Sequence, residues 1–424
     1  MNRDKYLQRL LKRKGNGQIK VITGIRRCGK SFLLFKLFQK HLMEEDGVPA
    51  DNIVSLALDN DENEALRDPR ALGAFLRKRI AGLSGQIYIL LDEIQSCHKV
   101  KRDNVDASAV APEDRDSLFI TFYDVLNGLQ RRDNVDIYVT GSNSKMLSDD
   151  VLTIFRGRGD EIRVHPFSFS EYLDCVGGDR SAAFHDYMAF GGMPRAVLEE
   201  DERERRDYLV RLYKTVYVKD ILEHNHIEQP WLLERILDVL NSAIGSLTNP
   251  TKLTDTIRSV AGLPVGRNTV EAYVSCLKQS YLFSEAKRYD VKGKKYLDTP
   301  YKLFAEDVGL RNARLNWRQQ EQTHLMENVI FNELARRGHA VDVGVVPIET
   351  RKDGRRETRR HEIDFIVNRG FSRTYIQSAF ALDTPEKDRQ ERLPLRHCRD
   401  SFRKIIVTGG GERLWQDEEG IFHV

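Results

Sequence analysis

Residues 19–31 read IKVITGIRRCGKS, an apolar run followed by a glycine-rich loop that opens into an apolar segment of helix length. The loop has the pattern G-x-x-x-x-G-K-S and consists of Gly24, Ile25, Arg26, Arg27, Cys28, Gly29, Lys30 and Ser31. Its glycines let the backbone curl so that N–H groups point at a phosphate, and the N-terminus of the following helix favours the same negative charge. In this strand–loop–helix setting, the pattern predicts a phosphate-binding loop.

The loop residues have distinct predicted roles. Lys30 is expected to reach the β- and γ-phosphates of ATP, and the Ser31 hydroxyl is expected to ligate Mg²⁺. The sequence therefore predicts ATP and Mg²⁺ as ligand and cofactor. The residues expected to contact the nucleotide are Gly24, Ile25, Arg26, Arg27, Cys28, Gly29, Lys30, Ser31 and Phe32.

A second apolar run, 87–93 (IYILLDE), ends in two carboxylates. Ligands bind outside the carboxyl ends of strands in open α/β sheets, so both acids are expected near the phosphates. We predict that Asp92 holds Mg²⁺ and that Glu93 polarises the attacking water.

Two further residues are candidates for catalysis. Asn143, in the segment 140–144 (TGSNS), could touch the γ-phosphate, or this segment could instead cap the helix that follows. Arg158 could act as an arginine finger, in its own or a neighbouring subunit, or be a surface arginine at a helix end. An arginine finger acting between subunits would require a homo-oligomer.

The first 170 residues alternate strand-length apolar runs with helix-length segments, which predicts a mostly parallel α/β sheet, and the loop at 24–31 makes it a P-loop NTPase sheet. The runs are rich in Ile, Val and Leu with little alternation, as expected when helices cover both faces of the sheet. The predicted strands are 19–23, 53–58, 87–91, 137–140 and 162–164. The predicted helices include 31–43, 69–83, 117–131 and 145–155.

Composition is that of a globular protein: 424 residues, 40% hydrophobic and 31% charged. No apolar run approaches the ~20 residues that a membrane span needs. Five cysteines without CxxC spacing suggest neither a disulfide framework nor a zinc site, so we expect a soluble, cytoplasmic protein. The net charge of +3 is too small to indicate nucleic acid, but 351–360 hold six basic residues in ten, which either meet phosphates or form a solvated hairpin.

With these residues in view, the chain resembles the prokaryotic AAA-type ATPases that carry a C-terminal domain of uncharacterised function. The resemblance implies an ATPase core whose phosphate-loop strand lies centrally in the sheet. It covers nearly the whole chain, except that 97–116 form an insertion that could bind a protein partner. The matching segments are 24–31 (GIRRCGKS), 91–95 (LDEIQ), 140–144 (TGSNS), 155–159 (FRGRG), 166–172 (PFSFSEY), 191–194 (GGMP), Glu327-Asn328 and 362–365 (EIDF).

The remaining pattern divides the chain into a P-loop domain (1–172), a helical connector (173–230), a winged helix-turn-helix (231–310) and a C-terminal domain (311–424). In the third part, three amphipathic helices precede a basic β-like pair, the order found in winged helices. DNA contact through 251–300 would use Arg267, Asn268, Thr269 and Lys278. The alternative is a protein-docking or packing module, because the fold alone does not specify function.

The C-terminal domain is predicted to be α/β and restriction-nuclease-like. Glu327 on a helix, Asp364 on a strand and Gln377 on the next strand occupy the metal-ligand positions of such enzymes. The lysine position is Ala379, so we expect a degenerate nuclease fold unless Glu362 or a displaced lysine substitutes. This makes the second metal site doubtful.

Three functions follow from these patterns. The first is an ATP-hydrolysing motor or switch for DNA or a protein partner, using Lys30, Ser31, Asp92 and Glu93. The second is an ATP-dependent DNA-binding regulator with little turnover. The third is a nuclease gated by ATP, against which Ala379 counts.

Overall fold

The computed structural model describes residues 3–424 apart from 104, 107, 109, 142–158, 226, 263, 353–354 and 411–413. The chain separates into two compact units. Unit 1 is Met1–His165 with Gln279–Tyr281, and unit 2 is Pro166–Lys278 with Leu282–Val424. The finer division at 172, 230 and 310 stays a prediction.

Unit 1 is built on a five-stranded sheet in the order β2-β3-β6-β1-β7, and every pairing in it is parallel. The loop strand β1 therefore lies between two neighbours, and the predicted P-loop NTPase fold is confirmed. The last strand begins at Gly159, three residues earlier than predicted. The strands of unit 1 are β1 (Ile19–Thr23), β2 (Ile53–Ala57), β3 (Ile87–Asp92), β4 (Val100–Lys101), β5 (Phe119–Ile120), β6 (Val135–Thr140) and β7 (Gly159–Arg163), of which β4 and β5 form a separate antiparallel pair.

Two helices of unit 1 begin at side chains that cap them. Asp68 accepts a hydrogen bond from the Arg70 backbone at 2.7 Å before a helix that starts with Pro69. The predicted helix 117–131 is wrong at its start, because Thr121 and Asp124 form a capping box there. The predicted helix 145–155 lies outside the described residues. The helices are Asp4–Arg13, Pro69–Arg79 and Phe122–Leu129, together with the continuous segments Lys30–Phe32, Leu33–Phe38 (π-helical) and Gln39–Glu44.

The strand β1 is buried along its whole length. Its one charged residue, Lys20, forms a buried ion pair with Asp136 on β6. Asp136 also accepts hydrogen bonds from the Tyr138 hydroxyl and the Gly15 backbone, each at 2.9 Å. Because a buried charge is costly unless it is paired, this network allows a lysine in the middle of the sheet.

Unit 2 combines helices with a nine-stranded mixed sheet in the order β15-β16-β14-β13-β12-β11-β9-β10-β8. Its strands are β8 (Leu247–Thr248), β9 (Phe283–Asp290), β10 (Lys295–Ala305), β11 (Ala340–Lys352), β12 (Arg355–Arg369), β13 (Ser372–Ala379), β14 (Arg403–Thr408), β15 (Trp415–Gln416) and β16 (Ile421–His423). Its helices are Phe169–Val176, Arg180–Phe190, Pro194–Val197, Glu202–Arg211, Leu212–Val218 (π-helical), Lys219–His224, Pro230–Ser242, Pro250–Ala261, Arg267–Gln279, Val308–Arg314, Gln322–Arg336 and Pro385–Arg396.

The three helices and the strand pair that a winged helix requires occur in the expected order, ending in the antiparallel pair β9–β10. This pair does not end the sheet. β10 also pairs with β8, and β9 pairs with β11 in parallel. The predicted winged-helix part and the predicted nuclease-like part thus share one sheet, while the winged-helix assignment itself stays a prediction.

A buried carboxylate fixes the turn at 191–194 within unit 2. Asp307 accepts hydrogen bonds from the backbone of Gly192 at 2.6 Å and of Leu310 at 3.0 Å. A Cβ added at Gly309 would lie 1.9 Å from the carbonyl oxygen of Phe190. Only glycine allows this approach, so the start of the helix Val308–Arg314 is held against the end of the helix Arg180–Phe190.

We expect Asp307 to make the stability of unit 2 depend on pH. Burial raises the pKa of this carboxyl group to about 6, although backbone hydrogen bonds oppose the shift. The folded state then binds more protons than the unfolded chain between pH about 4 and about 6, so the free energy of unfolding falls as the pH rises through that window. A pKa difference of about two corresponds to about 3 kcal/mol.

Chemical denaturation of Asp307→Asn at pH 4 and pH 6.5 would measure this effect. The variant should lose that part of the pH dependence. It should also be less stable than wild type at pH 4 by about 1–3 kcal/mol, because one backbone N–H loses its acceptor. Asp298→Asn, at an exposed position of β10, is the control and should behave as wild type. The same pH dependence in all three proteins would contradict the prediction.

Candidate nucleotide-binding site

The predicted phosphate loop lies between the carboxyl end of β1 and the helical segments that begin at Lys30. Gly24 has a φ of +132°, and a Cβ added there would lie 2.0 Å from the carbonyl oxygen of Val164. Gly29 has a φ of +100°. Both positions therefore require glycine, and the backbone turns sharply enough to form a concave loop.

Lys30 lies inside this loop. Its side chain is 3% exposed, and its ammonium group donates hydrogen bonds to the carbonyl oxygens of Gly24 at 2.9 Å and Ile25 at 3.1 Å. The Cys28 thiol donates to the Val164 carbonyl oxygen at 3.3 Å, which holds the loop against the residue after β7. Of the two loop arginines, Arg26 is half-buried and Arg27 is exposed.

Asp92 is the last residue of β3 and is 5% exposed. Its carboxylate accepts a hydrogen bond from the Thr140 hydroxyl. Burial raises the pKa of Asp92, whereas the hydroxyl groups of Thr140 and Ser31 and the charge of Lys30 lower it. The structure thus brings together Ser31 and Asp92, the two residues expected to hold Mg²⁺.

Glu93 follows directly in a backbone conformation that is uncommon for a residue other than glycine, with φ of +51°. Its backbone N–H donates to the Thr140 hydroxyl at 3.1 Å. Its carboxylate accepts a hydrogen bond from the Gln95 side chain. Both contacts fix the direction of the Glu93 side chain at the carboxyl edge of the sheet.

Thr140 is the site residue that the sequence analysis did not identify. It ends β6, is fully buried, and contacts both Asp92 and the backbone of Glu93. The available signal was its position at the end of an apolar strand, but Asn143 was preferred there. Asn143 and Arg158 both lie outside the described residues, so their roles stay predictions.

The residues present fit the expected ligands. Oxygen atoms are the ligands that Mg²⁺ prefers, and Ser31 and Asp92 supply a hydroxyl and a carboxylate oxygen at the same site. A curled backbone with a buried lysine at its centre fits a polyphosphate.

The three residues of the doubtful second metal site lie on neighbouring elements of unit 2. Glu327 is on the helix Gln322–Arg336, Asp364 is on β12 and Gln377 is on β13. The Ser378 backbone donates to Asp364 at 2.7 Å, and Gln377 donates to Glu391 at 2.9 Å. Burial raises the pKa of Asp364, as does the charge of Glu327.

A lysine does lie in this cluster, although not at position 379. Lys302 of β10 places its ammonium nitrogen 2.7 Å from Glu327 and 2.5 Å from Glu362. Within the described part of the chain, no group of three or more His, Cys, Asp or Glu side chains is arranged to hold a metal ion. The second metal site stays a prediction.

The helix Arg267–Gln279 carries the four residues that are candidates for DNA contact, and only two of them are exposed. Arg267 and Asn268 are exposed, whereas Thr269 and Lys278 are half-buried. The ammonium group of Lys278 is 2.7 Å from Glu285, so its charge is already paired. Among the residues that the structure describes, no helix is long and apolar enough to cross a membrane.

Two family models match the chain in succession. The first, described as "AAA domain", matches residues 16–173. The second, described as "Domain of unknown function (DUF8612)", matches residues 181–321. The matches meet close to the boundary between the two compact units.

Two curated relatives match over most of their length. An uncharacterized protein of Haemophilus influenzae is 30% identical over 416 residues, which cover 96% of this chain and 93% of that protein. An uncharacterized protein of Methanocaldococcus jannaschii is 23% identical over 388 residues, which cover 88% of this chain and 77% of that protein.

Solved structures give more distant similarities. The Aeropyrum pernix ORC1 protein in complex with DNA is 14% identical with a TM-score of 0.28, covering 74% of this chain and 92% of its own. The CDC6P protein of Pyrobaculum aerophilum is 13% identical with a TM-score of 0.29, covering 78% of this chain and 94% of its own. At these TM-scores the similarity supports no functional inference.

Proposed function

The chain belongs to the family of prokaryotic AAA-type P-loop proteins whose AAA domain precedes a domain of unknown function, and we propose that it is a Mg²⁺-dependent ATPase acting as a motor or switch. One observation carries the proposal. The curled loop is closed around the buried Lys30, and the buried carboxylate of Asp92 lies close enough for the charge of Lys30 and the Ser31 hydroxyl to lower its pKa.

Each described site residue has a role in this proposal. Lys30 would exchange its bonds to two loop carbonyls for charge-assisted bonds to the β- and γ-phosphates, which are stronger. Ser31 and Asp92 would hold Mg²⁺, which when bound neutralises charge on the phosphate oxygens. Glu93 would orient the attacking water and accept its proton, from a position fixed by Gln95 and Thr140.

The proposal is tested by ATP turnover with and without Mg²⁺, in wild type and in Lys30→Ala. Removal of the ammonium group should weaken ATP binding and lower turnover by about 100-fold or more. Lys36→Ala is the matched control, because Lys36 is exposed on the same run of helical segments and should leave both properties unchanged. Equal activity in Lys30→Ala and wild type would refute the site assignment.

We propose that the nucleotide state is transmitted to DNA or to a protein partner. Residues 251–300 support a DNA contact through the exposed Arg267 and Asn268. If wild type binds DNA with a steep salt dependence but shows negligible turnover, the DNA-binding regulator replaces the motor. The proposal includes a homo-oligomer in which Arg158 acts as an arginine finger on a neighbouring subunit. It also includes the binding of a protein partner by 97–116.

The ATP-gated nuclease stays the alternative for unit 2. It is supported by the position of Lys302 beside Glu327 and Glu362, since a displaced lysine was the condition for that chemistry. Loss of DNA cleavage in Asp364→Ala, with ATP turnover intact, would establish it. Absence of cleavage in wild type would eliminate it.

A further inference from the structure

Charged residues of β9 and β12 share one face of the unit 2 sheet, on either side of β11. In the β11–β12 ladder, Val345 lies opposite Glu362 and Pro347 lies opposite Arg360. In the neighbouring β9–β11 ladder, Val343 lies opposite Arg288. Residues at alternate positions, and residues opposite each other, share a face of a sheet. Arg288, Glu362 and Arg360 are therefore on the same face.

Arg288 is buried there without a bonded counter-charge. It is 9% exposed, and its Nε atom has no hydrogen-bond partner. No hydrogen bond or ion pair among the described residues includes its guanidinium group. Guanidinium always carries charge and offers five N–H donors, so burying it without an acceptor is costly. This residue is set up to receive an anion.

The nearby charges do not satisfy this requirement. Glu362 attracts Arg288, but its carboxylate already binds the ammonium of Lys302 at 2.5 Å. Arg360, which is exposed on the same face, repels Arg288. The carboxylate that attracts Arg288 is thus already bound to Lys302, so among the described residues the Arg288 guanidinium has no bonded acceptor.

We propose that Arg288 and Arg360 form a phosphate-binding site, and that its ligand is the phosphodiester backbone of DNA lying along β11 and β12. The planar donors of arginine match phosphate oxygens. At alternate positions beyond Pro347 and Arg360, the ladder continues outward to Arg351 opposite Arg356, within a stretch that has six basic residues in ten. A series of cations along one ribbon fits a polymer of phosphates better than a single ion.

The adjacent residue Arg359 provides a matched control. It lies opposite Ile348, which belongs to the apolar cluster on the other face of the sheet. Its guanidinium is 3.1 Å from Glu357, so its charge is already paired. Arg359→Ala removes the same charge as Arg360→Ala from the same strand, but from the opposite face.

The test uses the full-length chain and a fluorescein-labelled 20-base-pair duplex, with binding measured by anisotropy at several salt concentrations. Arg360→Ala should weaken binding about 5- to 10-fold and reduce the salt slope by about 1, and Arg288→Met should weaken binding at least as much. Arg359→Ala should change the dissociation constant less than about 2-fold.

Three outcomes would overturn the proposal. The first is equal weakening by Arg359→Ala and Arg360→Ala, which would mean that the face does not matter. The second is wild type that does not bind the duplex. The third is complete release of the duplex by 10 mM inorganic phosphate at constant ionic strength, which would indicate a site for a small anion. None of these three binding measurements depends on ATP turnover. If Arg288→Met does not fold, the comparison of Arg360→Ala with Arg359→Ala decides the test, because Arg360 is exposed.

Discussion

Replacement of Glu93 by glutamine should lower ATP turnover by about 100-fold or more while ATP binding is retained. Glutamine has nearly the same shape and can keep a hydrogen bond with Gln95, so the strand end should hold its conformation. The amide cannot accept the proton of an attacking water. Phosphate release under saturating ATP measures turnover, and titration with a fluorescent ATP analogue measures binding.

A loss confined to turnover is the informative result, because it separates chemistry from nucleotide binding. Glu62→Gln removes an exposed carboxylate from the same unit and should change neither quantity. Unchanged turnover in Glu93→Gln would remove this residue from the mechanism. Loss of ATP binding in Glu93→Gln would instead mean that Glu93 maintains the conformation of the binding site.

The contacts of Thr140 show what the sequence could not supply at this site. Apolar runs predicted both β3 and β6, and the acids at the end of β3 were identified. Thr140 contacts Asp92 only because β6 lies between β3 and β1 in the sheet. Strand order depends on long-range pairing, to which local hydrophobicity is insensitive. The last residue of β6 was therefore overlooked in favour of Asn143, three positions further on.

The sheet of unit 1 was predictable for a physical reason. Its strands are buried on both faces, so each appears as an almost continuous run of Ile, Val and Leu. The wrong start of the helix predicted at 117–131 also has a local cause. Phe119 and Ile120 are apolar enough to extend a helix pattern, but they pair with β4 as a short strand before the cap at Thr121.

Unit 2 was less predictable because its central contacts join distant segments. The parallel pairing of β9 with β11 brings Arg288 next to Val343, across the intervening helices. Lys302 meets Glu362 through the same arrangement. Sequence patterns predicted most of these elements individually, yet they carried no information on which charged side chains would meet on a shared face.

Lys302→Met should destabilise unit 2 by about 3–5 kcal/mol at pH 7. Burial by itself lowers the pKa of Lys302, but Glu327, Glu362 and Asp364 more than compensate, so the pKa is raised above its usual value. Without the ammonium group, the buried carboxylate of Glu327 has lost its cation. Methionine fills a similar volume, so the expected loss is electrostatic and not a cavity effect. Denaturant unfolding at pH 7 measures it.

If the loss of stability in Lys302→Met is electrostatic, two further results are expected. Glu327→Gln in the Lys302→Met background should recover part of the stability, because it removes one of the uncompensated carboxylates. Lowering the pH should recover part as well, because burial raises the pKa of Asp364 and its protonation removes one of the negative charges. Lys295→Met, at an exposed position of the same strand, should cost little. If Lys302→Met costs no more than Lys295→Met, the ion pairs of Lys302 with Glu327 and Glu362 do not stabilise the fold, and the prediction is wrong.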